Sequence, residues 1–181
     1  MRKKLILLIV LVPLTCLCLI LAVLLTLSAC TDRPVRARAG PYGVGGIGGE
    51  PTTVIMDLWV SKRCPARGEK VTIRYILTNQ GPGRLVVRLD KQPPVMDIIV
   101  QVTGPEASVL QRWSDGKPLD ELKQLELAPG QSKTISMEWT VPDTLGASSV
   151  NIDMHFLYRD DPLRAESGGL FLPIAPMCPG Y

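Results

Sequence analysis

Few residues in this 181-residue chain are of the kinds that do chemistry, and their spacing limits what they could do. His155 is the only histidine, and it shares the alternating phase of Asn151, Asp153 and Arg159 rather than that of Ile152, Met154 and Phe156. In a strand that phase faces solvent. An Asp153/His155 pair offers two ligands, whereas a metal centre needs several that converge. No metal and no cofactor is therefore expected. A serine or cysteine hydrolase needs a nucleophile, a base and an orienting group, and the chain holds no GxSxG turn to place the first of them. No catalytic residue is assigned, and the expectation is a protein that is not an enzyme.

The five cysteines divide by position. Cys16 and Cys18 lie inside an uncharged apolar run at residues 5–29, Cys30 closes that run, and Cys64 and Cys178 stand far downstream. In an oxidising compartment an even pair invites a disulfide. A Cys64–Cys178 bridge closes a loop of about 114 residues, which the chain-entropy model values at about 4 to 5 kcal/mol, and it would pin the C-terminal APMCPGY segment. The alternative is two thiols that never meet, because spacing in sequence does not supply the Cα separation a bridge requires.

Arg2, Lys3 and Lys4 precede the run LILLIVLVPLTCLCLILAVLLTLSA, which ends on small residues before Cys30. A basic start, an apolar stretch and small residues are the layout of a secretory signal. Residues 27–30, LSAC, resemble the lipobox of bacterial lipoprotein signal peptides. The resemblance implies that a diacylglycerol is attached to the Cys30 thiol, that residues 1–29 are cut away as the signal peptide, and that Cys30 becomes an acylated first residue. Two or more acyl chains make such an attachment durable where one holds only marginally. The alternative is an uncleaved single-pass transmembrane anchor, since 25 residues exceed the roughly 20 that span a bilayer. Flanking charge does not choose between orientations, because Arg33, Arg36 and Arg38 stand opposite Arg2, Lys3 and Lys4. The lipobox cysteine falls where processing requires it, which favours the lipoprotein. The expected address is the cell envelope, lipid-anchored, with the rest of the chain extracytoplasmic.

That remainder must position everything else. Removing the three N-terminal cations from the twenty basic residues leaves seventeen against seventeen acids, all of them after Cys30. A neutral, interspersed surface gives no electrostatic footprint for nucleic acid. Residues 30–53 carry Gly40, Gly43, Gly45, Gly46, Gly48 and Gly49 and read as a flexible tether whose root-mean-square span is about 25 Å. With no preceding strand and no GK[ST], they are not a phosphate loop. Residues 54–181 are long enough for one two-layer core.

From Val54 the period becomes two. Val54, Met56, Leu58 and Val60 alternate with Asp57 and Ser61, and Val71, Ile73, Tyr75 and Leu77 alternate with Thr72, Arg74 and Thr78. Further strands are expected near 85–89, 96–102, 108–113, 125–127, 134–141, 150–158 and 169–174, separated by Pro, Gly, Asn and Asp turns. Residues 114–122, SDGKPLDEL, predict one short helix or 3₁₀ turn crossing between sheets. Such a series argues for an all-β antiparallel sandwich.

Residues 71–141 resemble the BsuPI-type intracellular proteinase inhibitor domain, an immunoglobulin-like β-sandwich family. The resemblance rests on the strand VTIRYILTN ending at Asn79, on Asp97 opening DIIVQV, and on LQRWSDG with Trp113, Ser114 and Gly116. It continues through LELAPGQ with Leu125, Leu127, Pro129 and Gly130, and ends at Trp139. Met96 and Leu119 depart from the family's aromatic preferences while keeping apolar volume. The resemblance implies an immunoglobulin-like fold and a proteinase inhibitor, although that family is named for work inside the cell and this chain carries an export signal. A shared fold does not transfer function.

The conspicuous residues have structural uses first. Trp59, Trp113 and Trp139 are expected mainly in the core, Asp97 is expected to bind turn N–H groups, and Arg112 either stacks on Trp113 or points to water. The leading expectation is a non-enzymatic binding module whose loops or edge strand contact a protein partner, with a protease as one candidate. The alternatives are an assembly subunit of an envelope complex and, with nothing to support it, an envelope hydrolase.

Overall fold

The structure, a computed structural model, describes residues 33–45, 51–90, 94–102, 107–158, 165–176 and 178. Cys30, the apolar run at 5–29 and the LSAC motif lie outside the described residues. Among the described residues no helix is long and apolar enough to cross a membrane.

The described elements follow in chain order: β1 (Val35–Gly45), β2 (Pro51–Val60), β3 (Lys70–Asn79), β4 (Leu85–Arg88), β5 (Met96–Val102), β6 (Ser108–Arg112), α1 (Leu119–Leu122), β7 (Gln124–Leu127), β8 (Ser132–Thr140), β9 (Ser149–Leu157) and β10 (Ala165–Pro173). They form an all-β antiparallel sandwich. One sheet has the order β1-β2-β3-β8, the other β10-β9-β5-β6, and β4 pairs with β7 in a small third sheet. Numbered without β1, the first sheet holds the A, B and E strands of an immunoglobulin-like sandwich and the second its C, F and G strands.

The period-two pattern is what builds the layers. Leu58, Tyr75 and Ile135 face one another across β2, β3 and β8, as do Val60, Ile73 and Met137. On the facing sheet Val100 meets Ile152, and Ile98 meets Met154. All ten side chains are buried in one continuous core. Between the sheets α1 follows Pro118 and carries Asp120 and Glu121 in its first turn, where carboxylates suit the helix dipole. It serves as the expected crossover.

The tether departs from expectation. Residues 30–53 read as coil, yet Val35–Gly45 is a strand and β2 begins at Pro51, so the sandwich starts at Val35 rather than Val54. The sequence signal was present in VRARA, where Val35, Ala37 and Ala39 alternate with Arg36 and Arg38. The glycine count downstream masked it. Val35, Ala37, Ala39 and Tyr42 pack against the core, and Val44 lies within it. A register shift between Ala39 and Tyr42 absorbs Gly40 and Pro41 as a bulge, the place in a sheet where a residue lacking N–H does least harm. A second glycine closes this side of the sandwich. A Cβ at Gly168 in β10 would clash with the Ala39 side chain, so glycine there lets β1 and β10 approach. The Tyr42 hydroxyl then donates to the Ser167 carbonyl at 3.2 Å.

Candidate functional site

Most residues singled out in the sequence meet in two buried polar hubs. At the first, Asn79 is fully buried at the end of β3. Its amide Nδ2 donates to the carbonyls of Gly83 at 2.8 Å and Leu127 at 3.1 Å, while Oδ1 accepts from Gly81 N–H at 3.1 Å and from the Thr52 hydroxyl. Every hydrogen-bonding position of the amide is used. Pro129 and Gly130 serve the same hub. Gln131 N–H donates to the Ala128 carbonyl at 3.0 Å, and Gly130 has φ 75°, giving a type II turn with proline then glycine at its centre. Gly130 N–H donates back to the Asn79 carbonyl at 2.8 Å.

At the second hub Asp97 is 1% exposed. Its Oδ1 accepts from the N–H groups of Ile98 at 3.0 Å and Ser114 at 3.1 Å. Its Oδ2 accepts from the Ser114 hydroxyl at 3.0 Å and from Arg112 Nη1 at 3.4 Å. Arg112 N–H donates to Asp115 Oδ2 at 2.8 Å, and Gly116 takes φ 71° to close the turn. LQRWSDG is thus a turn folded over a buried carboxylate, and Arg112 serves Asp97 rather than stacking on Trp113. That stacking position belongs to Lys117, whose ammonium lies 4.6 Å from the Trp113 ring centroid.

The three tryptophans separate. Trp139 is core, Trp113 is half-buried at the sandwich margin, and Trp59 lies half-buried on the outer face of its sheet under the Arg74 guanidinium, 4.9 Å from the ring centroid. The core expectation holds for Trp139 and fails for Trp59, whose phase follows Asp57 rather than Leu58 and Val60. Asp153 accepts from Gln101 Nε2 at 2.6 Å, beside a half-buried His155. Cys64 and Cys178 form a disulfide with their Cα atoms 6.1 Å apart, inside the range such bonds adopt.

What sequence reasoning missed is a groove on the side of the sandwich away from β1. Val95, Met96, Leu122, Leu125 and Ile135 form its floor and Trp113 one wall, with Glu121, Gln124 and Lys133 exposed at the rim. Its cavity volume is about 30 Å³. That is far below the roughly 300 to 1,000 Å³ of sites for drug-sized ligands, so the groove is a shallow apolar depression rather than an enclosed pocket. The residues come from five separate stretches of chain, so no local motif announces them. β8 forms one wall and ends its sheet, leaving the backbone edge opposite β3 without a ladder partner among the described strands. Farther along, Gln111 Nε2 reaches the Glu138 carbonyl at 3.4 Å.

No family model matches the chain, and no curated protein matches it in sequence. Among solved structures, the sporulation control protein Spo0M from Bacillus subtilis is similar to it with a TM-score of 0.44 and 11% sequence identity. The match covers 72% of this chain and 50% of that one, so this chain spans half the length of that protein. A similarity of that size carries no argument about function.

Proposed function

We propose that this chain is a lipid-anchored binding module, held through Cys30 to a membrane of the cell envelope with its sandwich extracytoplasmic, and that it binds a protein partner without catalysing a reaction. An extended segment of the partner adds to the β8 edge that has no ladder partner among the described strands, and rests an apolar side chain against the adjoining groove, the mode in which main-chain hydrogen bonds give affinity and side-chain contacts give selectivity. The observation that carries this reading is the juxtaposition of that edge with a shallow apolar groove. Glu121 and Lys133 at the rim offer both signs of charge to the partner's flanking residues. The Cys64–Cys178 bond supports the oxidising compartment that the LSAC motif implies. A protease is the partner class that the BsuPI resemblance puts first.

Two measurements test this. Incubating the purified chain with a panel of serine proteases is expected to give inhibition or a stable complex with at least one, and a blank result across the panel removes the protease. A photo-crosslinking residue in place of Lys133 is expected to capture a protein partner in living cells, while one in place of Arg38 on the opposite edge does not. Equal capture from both positions, or none, overturns the groove as the contact surface.

A further inference from the structure

The strand that replaces the tether changes where the domain stands. Only residues 31–34 separate Cys30 from Val35, and five Cα steps reach at most about 18 Å. A flexible linker of the length first expected would leave the domain about 25 Å away and free to turn. The five-step limit puts one particular end of the sandwich within about two screening lengths of the bilayer, since the Debye length is about 8 Å at physiological salt. That end is the one where Val35 pairs with Val60 and where the β2–β3 loop, the β8–β9 loop and Cys178 gather.

The surface presented there has an excess of basic side chains among the described residues, with Lys62 paired to Glu69. Among the described residues at 33–36, 61–69, 141–149, 173–176 and 178, the cations are Arg33, Arg36, Lys62, Arg63 and Arg67, against two carboxylates, Glu69 and Asp143. The register adds an aromatic. One residue from the end of β2, the outer-face row reads Arg36, Trp59, Arg74, Ser136 across four strands, with no carboxylate in it. The next row inward is neutralised, because Arg38 pairs with Asp57 at 2.7 Å. A half-buried tryptophan between two arginines is the composition that settles at a headgroup layer, and basic residues near an anionic leaflet are drawn to it electrostatically.

We infer that this end of the sandwich, Trp59 with Arg36, Arg74, Arg63 and Arg67, is a membrane-docking face that lies on anionic phospholipid headgroups. The inference rests on the anchoring at Cys30 proposed above. Docking holds the groove side of β8 at a fixed attitude to the bilayer instead of letting it tumble.

The test uses the full chain reconstituted into phosphatidylcholine vesicles with and without phosphatidylglycerol, each carrying a headgroup-labelled quencher of tryptophan fluorescence. Quenching is expected to rise with phosphatidylglycerol, to lose most of its extent in Trp59→Phe, and to fall in Arg36→Glu/Arg63→Glu, which keeps the fluorophore. Equal quenching in wild type and Trp59→Phe, or indifference to both lipid charge and the paired arginine change, overturns the docking face. Palmitate labelling of the same protein, compared with Cys30→Ser, reports the anchor separately. Label without quenching sinks the docking face alone, and quenching without label sinks the anchor alone.

Discussion

The two ends of the sandwich hold their loops by different chemistry. At the end where β1 begins, the disulfide joins Cys64 to Cys178, Arg67 donates twice to the Leu145 carbonyl at 3.1 and 3.0 Å, and Ala175 N–H reaches the Pro65 carbonyl at 3.0 Å. At the far end no covalent bond joins the described loops, and the buried side chains of Asn79 and Asp97 gather them by hydrogen bonds. The difference is one of state as well as strength. A disulfide acts mainly on the unfolded chain by closing a long loop, so its benefit does not depend on any one native contact. A buried amide acts on the native state, where its absence leaves its partners desolvated and unpaired.

Removing each fastener separates these accounts. The largest effect is expected from Cys64→Ser: a loss of about 4 to 5 kcal/mol on the chain-entropy model. Denaturant titration should show the loss in wild type when reductant is added, and no further change in the variant. A drop under about 1 kcal/mol would mean that the unfolded chain gains little from the closure. Asn79→Ala comes next, at about 3 kcal/mol, because it strands the Gly83 and Leu127 carbonyls and the Gly81 N–H. Its cost should be the same in oxidised and reduced protein. If reductant changes that cost, the two ends are coupled and the contrast fails.

The smallest effect belongs to the middle of β3. The Tyr75 hydroxyl is buried with no hydrogen-bond partner among the described residues, and burial, followed by the nearby Tyr42, raises its pKa well above the ordinary 10.0. Tyr75→Phe should therefore change stability by no more than about 0.5 kcal/mol at neutral pH, and in the stabilising direction. The folded state keeps this proton after the unfolded chain gives it up near pH 10. Stability present below pH 10 is then lost as pH rises through the raised pKa. The variant should lack that part of the alkaline decline when unfolding is followed from about pH 8 to 11.

Much of this was legible before any coordinates. β-branched alternation in β3 and β9 announced half-buried strands, and Pro129-Gly130 announced its turn, because those signals are local and a period of two survives any partner. The two hubs were half legible: Asp97 was expected to bind turn N–H groups, but that Ser114 would supply one, with its hydroxyl and the Arg112 guanidinium beside it, depends on β5 and β6 lying side by side. β1 was hidden by its glycines, since composition averaged over residues 31–53 outweighed five alternating residues at 35–39. Trp59 misled because tryptophans usually bury, and only its phase beside Leu58 and Val60 gives its side away. The groove was invisible, being assembled from α1 and four other stretches that share no motif.

The placement of β1 has a mechanical consequence. Its ladder with β2 runs from Val35↔Val60 to Gly45↔Pro51, and β10 lies along its other side. Under the anchoring proposed at Cys30, a tug delivered through the lipid pulls β1 lengthwise from Val35. The rungs to β2 then share the load at once instead of parting one after another, so on that proposal β1 also serves as the strut by which the protein withstands being pulled.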